Sequence, residues 1–287
     1  MSSLYVITAG VLWGTISIFV SILNAAGFSS MQCVALRAFF TAAMLFVYIM
    51  VTDRSKLKVC LKDLWCFLGT RICSIVFFNF CYFKCIELMG SSAVPALLMY
   101  TSPVFVMLLS LVCFREKITV RKLAATVLVI CGLAIVTGAF SGGGNVTPSV
   151  VITGLGAGLG YALYSIFGKV VADKYDSVTI TFYTFLVAAI AAVPISGVAG
   201  CLGLLADLKA LGAILCLSLF VTVLPYILYT KGLSGMEAGK AAVLATVEPV
   251  AAAVVGALFF KESFPPSKVA GIAIVLAAII FLNAGSD

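Results

Sequence analysis

Glu248 is the one acidic residue of this chain that falls well inside a long apolar run. A carboxylate at such a position is costly to leave among hydrocarbon, so it has to face a cavity or a partner. Two chemistries suit it. In one, Glu248 binds a proton or a substrate ammonium group and alternates between them; in the other it is a structural ion pair, with Arg37 as the partner. Arg37 lies about a third of the way into another apolar run, where its arm can snorkel toward water or hold out a planar, bidentate donor to a substrate carboxylate. Arg71 sits deeper in a third run, with Asn79 eight residues further on. For both arginines, pairing with backbone carbonyls or lipid phosphate is the competing reading.

Four rings also fall within apolar runs: Trp13, Tyr100, Tyr161 and Tyr164. Gathered around a carboxylate they would suit an amine or quaternary ammonium group through cation–π contact. Tyr161 and Tyr164 are three apart and share a helix face. Tyr5, Tyr48, Tyr82 and Tyr229 read instead as an interfacial aromatic belt. Pro103 and Pro249 each remove a backbone N–H and free a carbonyl four residues earlier, that of Met99 or Ala245. Backbone freed at membrane depth needs a polar or wet neighbour, and paired helix interruptions mark a central binding site; a compensated kink is the alternative.

Other chemistries find no footing. The chain has no histidine and no CxxC pair, so no metal or other cofactor is expected, proton coupling apart. Most of its ten cysteines lie in apolar runs, as small hydrophobes. One buried acid without a histidine offers no acid/base pair, and no GxxxxGK[ST] loop is present, so an enzyme is not expected. The net charge of +7 comes from basic residues scattered through short loops, which does not fit a nucleic-acid surface.

The elements that must position these residues are membrane helices. Of 287 residues 63% are hydrophobic and 10% charged, and the mean hydropathy is +1.23, whereas about 25% of a soluble domain is charged. Apolar runs of about 20 residues, each long enough to cross about 30 Å of hydrocarbon, recur throughout. Ten are expected, near 4–24, 31–51, 63–83, 91–113, 120–140, 150–171, 177–198, 210–230, 238–260 and 267–284. With the N-terminus in the cytoplasm, twelve loop lysines and arginines fall inside and Lys84, Lys209, Lys261 and Lys268 outside. An even number of crossings returns the C-terminus to the cytoplasm. The expected partners are the lipid bilayer and a small molecule.

The chain also repeats itself. At an offset of 146, Pro103 pairs with Pro249, Phe114-Arg115-Glu116 with Phe260-Lys261-Glu262, and Lys122 with Lys268. At an offset of 148, Gly10 pairs with Gly158, Trp13 with Tyr161, and Ser17-Ile18-Phe19 with Ser165-Ile166-Phe167. Halves of 1–146 and 147–287 follow. A unit of five crossings ends on the side opposite its start, so its copy is inserted upside down, the arrangement that gives alternating access. The glycines at 10 and 14, and at 154, 156, 158 and 160, form small-xxx-small surfaces for close helix packing. Glu116 and Glu262 read as loop ion pairs at helix ends.

These residues in this order resemble the drug/metabolite transporter superfamily, in its ten-helix EamA-type branch. The resemblance rests on Trp13-Gly14, Leu36-Arg37, Asn79, Tyr100-x-x-Pro103 and Phe114-Arg115-Glu116 in the first half, and on Glu248-Pro249 and Phe260-Lys261-Glu262 in the second. It covers essentially the whole chain, with Gly160-Tyr161 as a departure where the family commonly has Trp. The resemblance implies an all-α polytopic secondary transporter of the plasma (bacterial inner) membrane, often exporting amino acids or related metabolites. Uptake or exchange of an amine such as choline, and a non-transporting receptor or assembly protein, are the alternatives.

Overall fold

A computed structural model describes residues 1–60, 77–89, 93–139, 146–172 and 174–284, with Asn79 described in its backbone alone. Arg71 therefore lies outside the described residues, as does most of the third expected crossing. Every long element among the described residues is a helix, as it must be where hydrocarbon offers backbone groups no partners. In chain order they are α1 (Ser2–Trp13), α2 (Ile16–Ala25), α3 (Ser30–Thr52), α4 (Phe77–Met89), α5 (Ala93–Met99), α6 (Ser102–Phe114) and α7 (Val120–Val136). Then follow α8 (Pro148–Ala172), α9 (Ser177–Ile195), α10 (Leu208–Ser218), α11 (Leu224–Ser234), α12 (Ala238–Ala245), α13 (Val247–Phe260) and α14 (Pro266–Asn283). A five-residue π turn, Leu219–Val223, joins α10 to α11.

Local sequence explains where the helices begin and end. Ser29 and Gln32 close a capping box at the start of α3, and Thr119, Asp176 and Asp207 cap α7, α9 and α10 with side-chain oxygens. The ends of α6 and α13 are formed by left-handed residues that are not glycine, Arg115 (φ 56°) and Lys261 (φ 53°). In each case the next residue is a glutamate whose N–H reaches back six residues, Glu116 to Ser110 O and Glu262 to Gly256 O.

Among the described residues, eight stretches are long and apolar enough to cross a membrane: Ser2–Ala25, Ser30–Thr52, Ala93–Phe114, Pro148–Ala172, Ser177–Ile195, Leu208–Ser234, Ala238–Phe260 and Pro266–Asn283. Ten crossings were expected. Of the other two, the third is described only at its end, α4. The fifth is α7, whose 17 residues reach about 25 Å at 1.5 Å each and begin with Arg121 and Lys122 in the first turn.

Neighbours in space are far apart in sequence. Helix α1 packs on α11, α4 on α8, α3 on α9, and α7 on α14; α6 meets α12. The broken pair α12–α13 is crossed by α1, and the broken pair α5–α6 by α8. One end of the bundle gathers Arg54, Lys56 and Lys58 with Arg115, Lys117, Arg121, Lys122, Lys169, Lys174, Lys231 and Lys240. It is tied there by Lys56–Asp176, Lys122–Glu237, Ser3–Asn283 and by Lys231 over the Tyr5 ring.

Candidate functional site

Three crossings are interrupted near mid-depth, and each interruption is made the same way. Between α1 and α2 the chain breaks at Gly14-Thr15, between α5 and α6 at Tyr100-Thr101, and between α12 and α13 at Thr246. At each break a threonine hydroxyl donates to the carbonyl three residues back: Thr15 to Leu12 O (2.7 Å), Thr101 to Leu98 O (2.7 Å) and Thr246 to Val243 O (2.5 Å). Pro103 and Pro249 stand in the first turns of the helices that restart, α6 and α13, both buried. A proline is tolerated there because the N–H it lacks would have had no helical acceptor.

Each freed carbonyl is met by a glycine from a distant helix. A Cβ built on Gly10 of α1 would lie 3.1 Å from Ala245 O, and one on Gly158 of α8 would lie 3.3 Å from Met99 O. Gly14 is closer still, with a Cβ there 2.5 Å from the Ala251 methyl and 2.8 Å from Glu248 O. The glycine stripes thus bring α1 and α8 against the breaks. The four glycines of α8 serve two surfaces: Gly154 and Gly158 face α5 and its break, while Gly156 and Gly160 face Cys81 and Phe78 of α4.

Glu248 is the second residue of α13, immediately past one break. From Ala241 to Val250 every residue is buried except Glu248, which is partly accessible. Its side chain is therefore less completely covered than those of its neighbours in the run. The Tyr161 hydroxyl donates to its Oε2 at 3.0 Å. Tyr161, also partly accessible, is edge-on to Phe78 of α4 (6.0 Å between ring centroids), which stacks on Tyr82 (5.5 Å). Tyr100, buried at its own break, and Tyr82 both lie within electrostatic range of the carboxylate.

A second group of rings is centred on α11. Trp13 meets Tyr226 (5.2 Å) and Tyr229 (5.3 Å), and Tyr164 meets the same two (5.4 and 6.1 Å). Tyr229 is buried and its hydroxyl shares a 2.7 Å hydrogen bond with Ser165. This corrects its expected place in an interfacial belt: burial of the ring on Trp13 and a partner for its hydroxyl hold it inside the bundle. The indole Nε1 of Trp13 is buried with no hydrogen-bond partner among the described residues.

Arg37 is not brought to Glu248. No ion pair joins them among the described residues, so the expected structural pair is absent there. Arg37 lies in α3 beside α10, its carbonyl accepting from Ser218 Oγ at 3.4 Å, and its Nε is buried without a hydrogen-bond partner among the described residues. Glu116 and Glu262 also differ from the expected loop pairs with Arg115 and Lys261. Glu116 accepts from the N–H groups of Ala238 (2.8 Å) and Gly239 (3.3 Å) at the start of α12, and Glu262 pairs with Lys268 (3.5 Å). Phe78, Ser165 and the three threonines were not singled out from sequence. A threonine two or three residues before an intramembrane proline is the signal that marks two of those breaks.

An all-helical bundle with apolar crossings, interrupted helices and a carboxylate at one interruption defines the class of membrane transporters. The comparisons agree. The model of the EamA-like transporter family matches twice, over residues 1–138 and 148–284, and the chain belongs to that family. An uncharacterized transporter of Archaeoglobus fulgidus is 28% identical over 279 residues, 96% of this chain and 93% of its own. The uncharacterized transporter YetK of Bacillus subtilis is 22% identical over 249 residues, covering 85% and 75%. A solved crystal structure shares the fold, with a TM-score of 0.80 at 16% identity over 99% of this chain and 96% of that one.

Proposed function

We propose that this transporter moves a small zwitterionic metabolite, an amino acid or a close relative, out across the plasma membrane by alternating access, with Glu248 binding a proton and the substrate ammonium group in turn. The observation that carries this reading is the isolated accessibility of Glu248, held by Tyr161 beside a helix break in an otherwise buried run. A lone, partly accessible carboxylate at a helix break suits a cation that comes and goes. Arg37 supplies the second pole. It lies seven residues from the start of α3 and Glu248 twelve from the end of α13, a depth difference of about 8 Å at 1.5 Å per residue.

Ten crossings in two inverted halves, 1–146 and 147–287, with both termini cytoplasmic, complete the proposal. Two facts support the halves: the family model matches once in each, and the packing pairs survive their exchange. Under that exchange α1 on α11 becomes α8 on α4, and α1 across α12–α13 becomes α8 across α5–α6, while α3·α9 and α7·α14 map onto themselves.

Counterflow into proteoliposomes with a panel of labelled amino acids and amines tests the reading. Glu248→Gln is expected to abolish counterflow and Arg37→Lys to reduce it at least tenfold for substrates with a carboxylate. Normal counterflow in Glu248→Gln with an unchanged pH profile would sink it. Transport of choline-like cations that ignores Arg37 would favour an amine substrate instead.

A further inference from the structure

We propose that Glu116 and Glu262 are the two latches of the transport cycle, one for each end of the bundle, and that this structure holds the first closed and the second released. The inference rests on the alternating-access reading above.

Glu116 and Glu262 follow left-handed residues at the ends of α6 and α13, and both N–H groups bond six residues back, so their backbones are equivalent. Their side chains are not. Glu116 crosses from the first matched segment to the second and caps the first turn of α12, accepting from Ala238 and Gly239. Beside it Lys122, 5% exposed, donates to Lys117 O at 2.8 Å and pairs with Glu237, the residue before α12. A carboxylate on free N–H groups and helix-dipole charge, next to the ion pair of buried Lys122 with exposed Glu237, makes a joint between segments. The equivalent pair at the other end, Glu262 and Lys268, folds back instead. Its 3.5 Å contact is within the second segment, Glu262 is exposed and lies against Gly256, and among the described residues it bonds to no group of the first segment.

Tyr226 and Tyr229 lie eight and five residues from the basic end of α11, or about 12 and 8 Å deep, whereas Glu248 is ten residues, about 15 Å, from the same end along α12–α13. Packed on Trp13 and Tyr164, they lie on the basic-end side of the carboxylate, as Tyr82 lies on the other. When the molecule turns over, Glu116 lets go of α12 and Glu262 takes up the corresponding joint.

Hydrogen exchange on the purified full-length protein tests this. Glu116→Ala should speed exchange of residues 237–241 at least tenfold and, by shifting the molecule toward its other state, slow exchange of 25–30 and 196–207 at the far end at least threefold. Glu262→Ala should leave all three segments within twofold. Glu116→Gln keeps one acceptor oxygen and serves as the second variant should Glu116→Ala fail to fold; it should move the same segments in the same directions by about threefold. Faster exchange at 237–241 with the far end unchanged would make Glu116 a static cap and overturn the latch while leaving transport untouched. So would equal effects of the two alanine variants. Failure of wild-type counterflow, by contrast, would remove the alternating-access reading itself.

Discussion

At the scale of single residues, the site turns on how few polar groups the membrane interior tolerates. Glu248 was legible from sequence because an acid in an apolar run cannot be an accident of packing. Its donor was not, since Tyr161 is 87 residues away in sequence and only the crossing of α8 over the broken helices brings the two together. Tyr161→Phe deletes one hydrogen bond to a charged group, a contribution of about 1.5–3 kcal/mol, while keeping the ring against Phe78. Counterflow is expected to fall by about tenfold or more, with the melting temperature in detergent nearly unchanged. An equal drop in melting temperature would mean that Tyr161 holds the fold and not the carboxylate. Tyr229 was misread because an aromatic near the end of an apolar run looks the same whether it faces headgroups or a tryptophan. The deciding partner, Ser165, lies on another helix.

At the scale of elements, the chain announces its breaks through proline but not their bracing. Pro103 and Pro249 identify two interruptions; the third, at Gly14-Thr15, has no proline and was read as continuous helix. Its threonine back-bond to Leu12 O is the trait it shares with the others. The glycine stripes were legible as close-packing surfaces, but their target, the carbonyl freed at the opposite break, follows only from the fold. This gives a graded expectation. Gly158→Ala puts a methyl 2.9 Å from Thr101 Oγ1 and 3.1 Å from Leu98 O, which should cost about 1–3 kcal/mol and lower the melting temperature. Gly212→Ala, inside α10 with nothing within 4 Å of the new methyl, should raise stability by about 0.4–1 kcal/mol through the unfolded chain. Thermal unfolding of both variants in one detergent checks the contrast.

At the scale of the whole molecule, hydropathy placed the chain in a membrane, and the rare-residue register at 146 and 148 led to the expected halves 1–146 and 147–287; the family model matches at 1–138 and 148–284. What sequence could not give is which helix touches which, because apolar faces in lipid are chemically alike and small residues rather than hydrophobicity choose the partner. Under the proposed inverted arrangement, cysteines substituted at 115 and 261, which end corresponding helices of the two halves, should react with an impermeant maleimide from opposite faces of the cell. Labelling from one face would remove the inverted arrangement. The contact of α7 with α14 carries its own corollary. A methyl on Gly132 would stand 2.9 Å from Gly271 O, and one on Gly271 would stand 2.8 Å from Gly132 O, so each glycine keeps room for the other's backbone. Whichever is enlarged first forces the two helices apart and has already made the space the second needs. The double alanine variant should therefore lose distinctly less stability than the two single losses added together, a coupling energy of about 0.5–3 kcal/mol between the two positions.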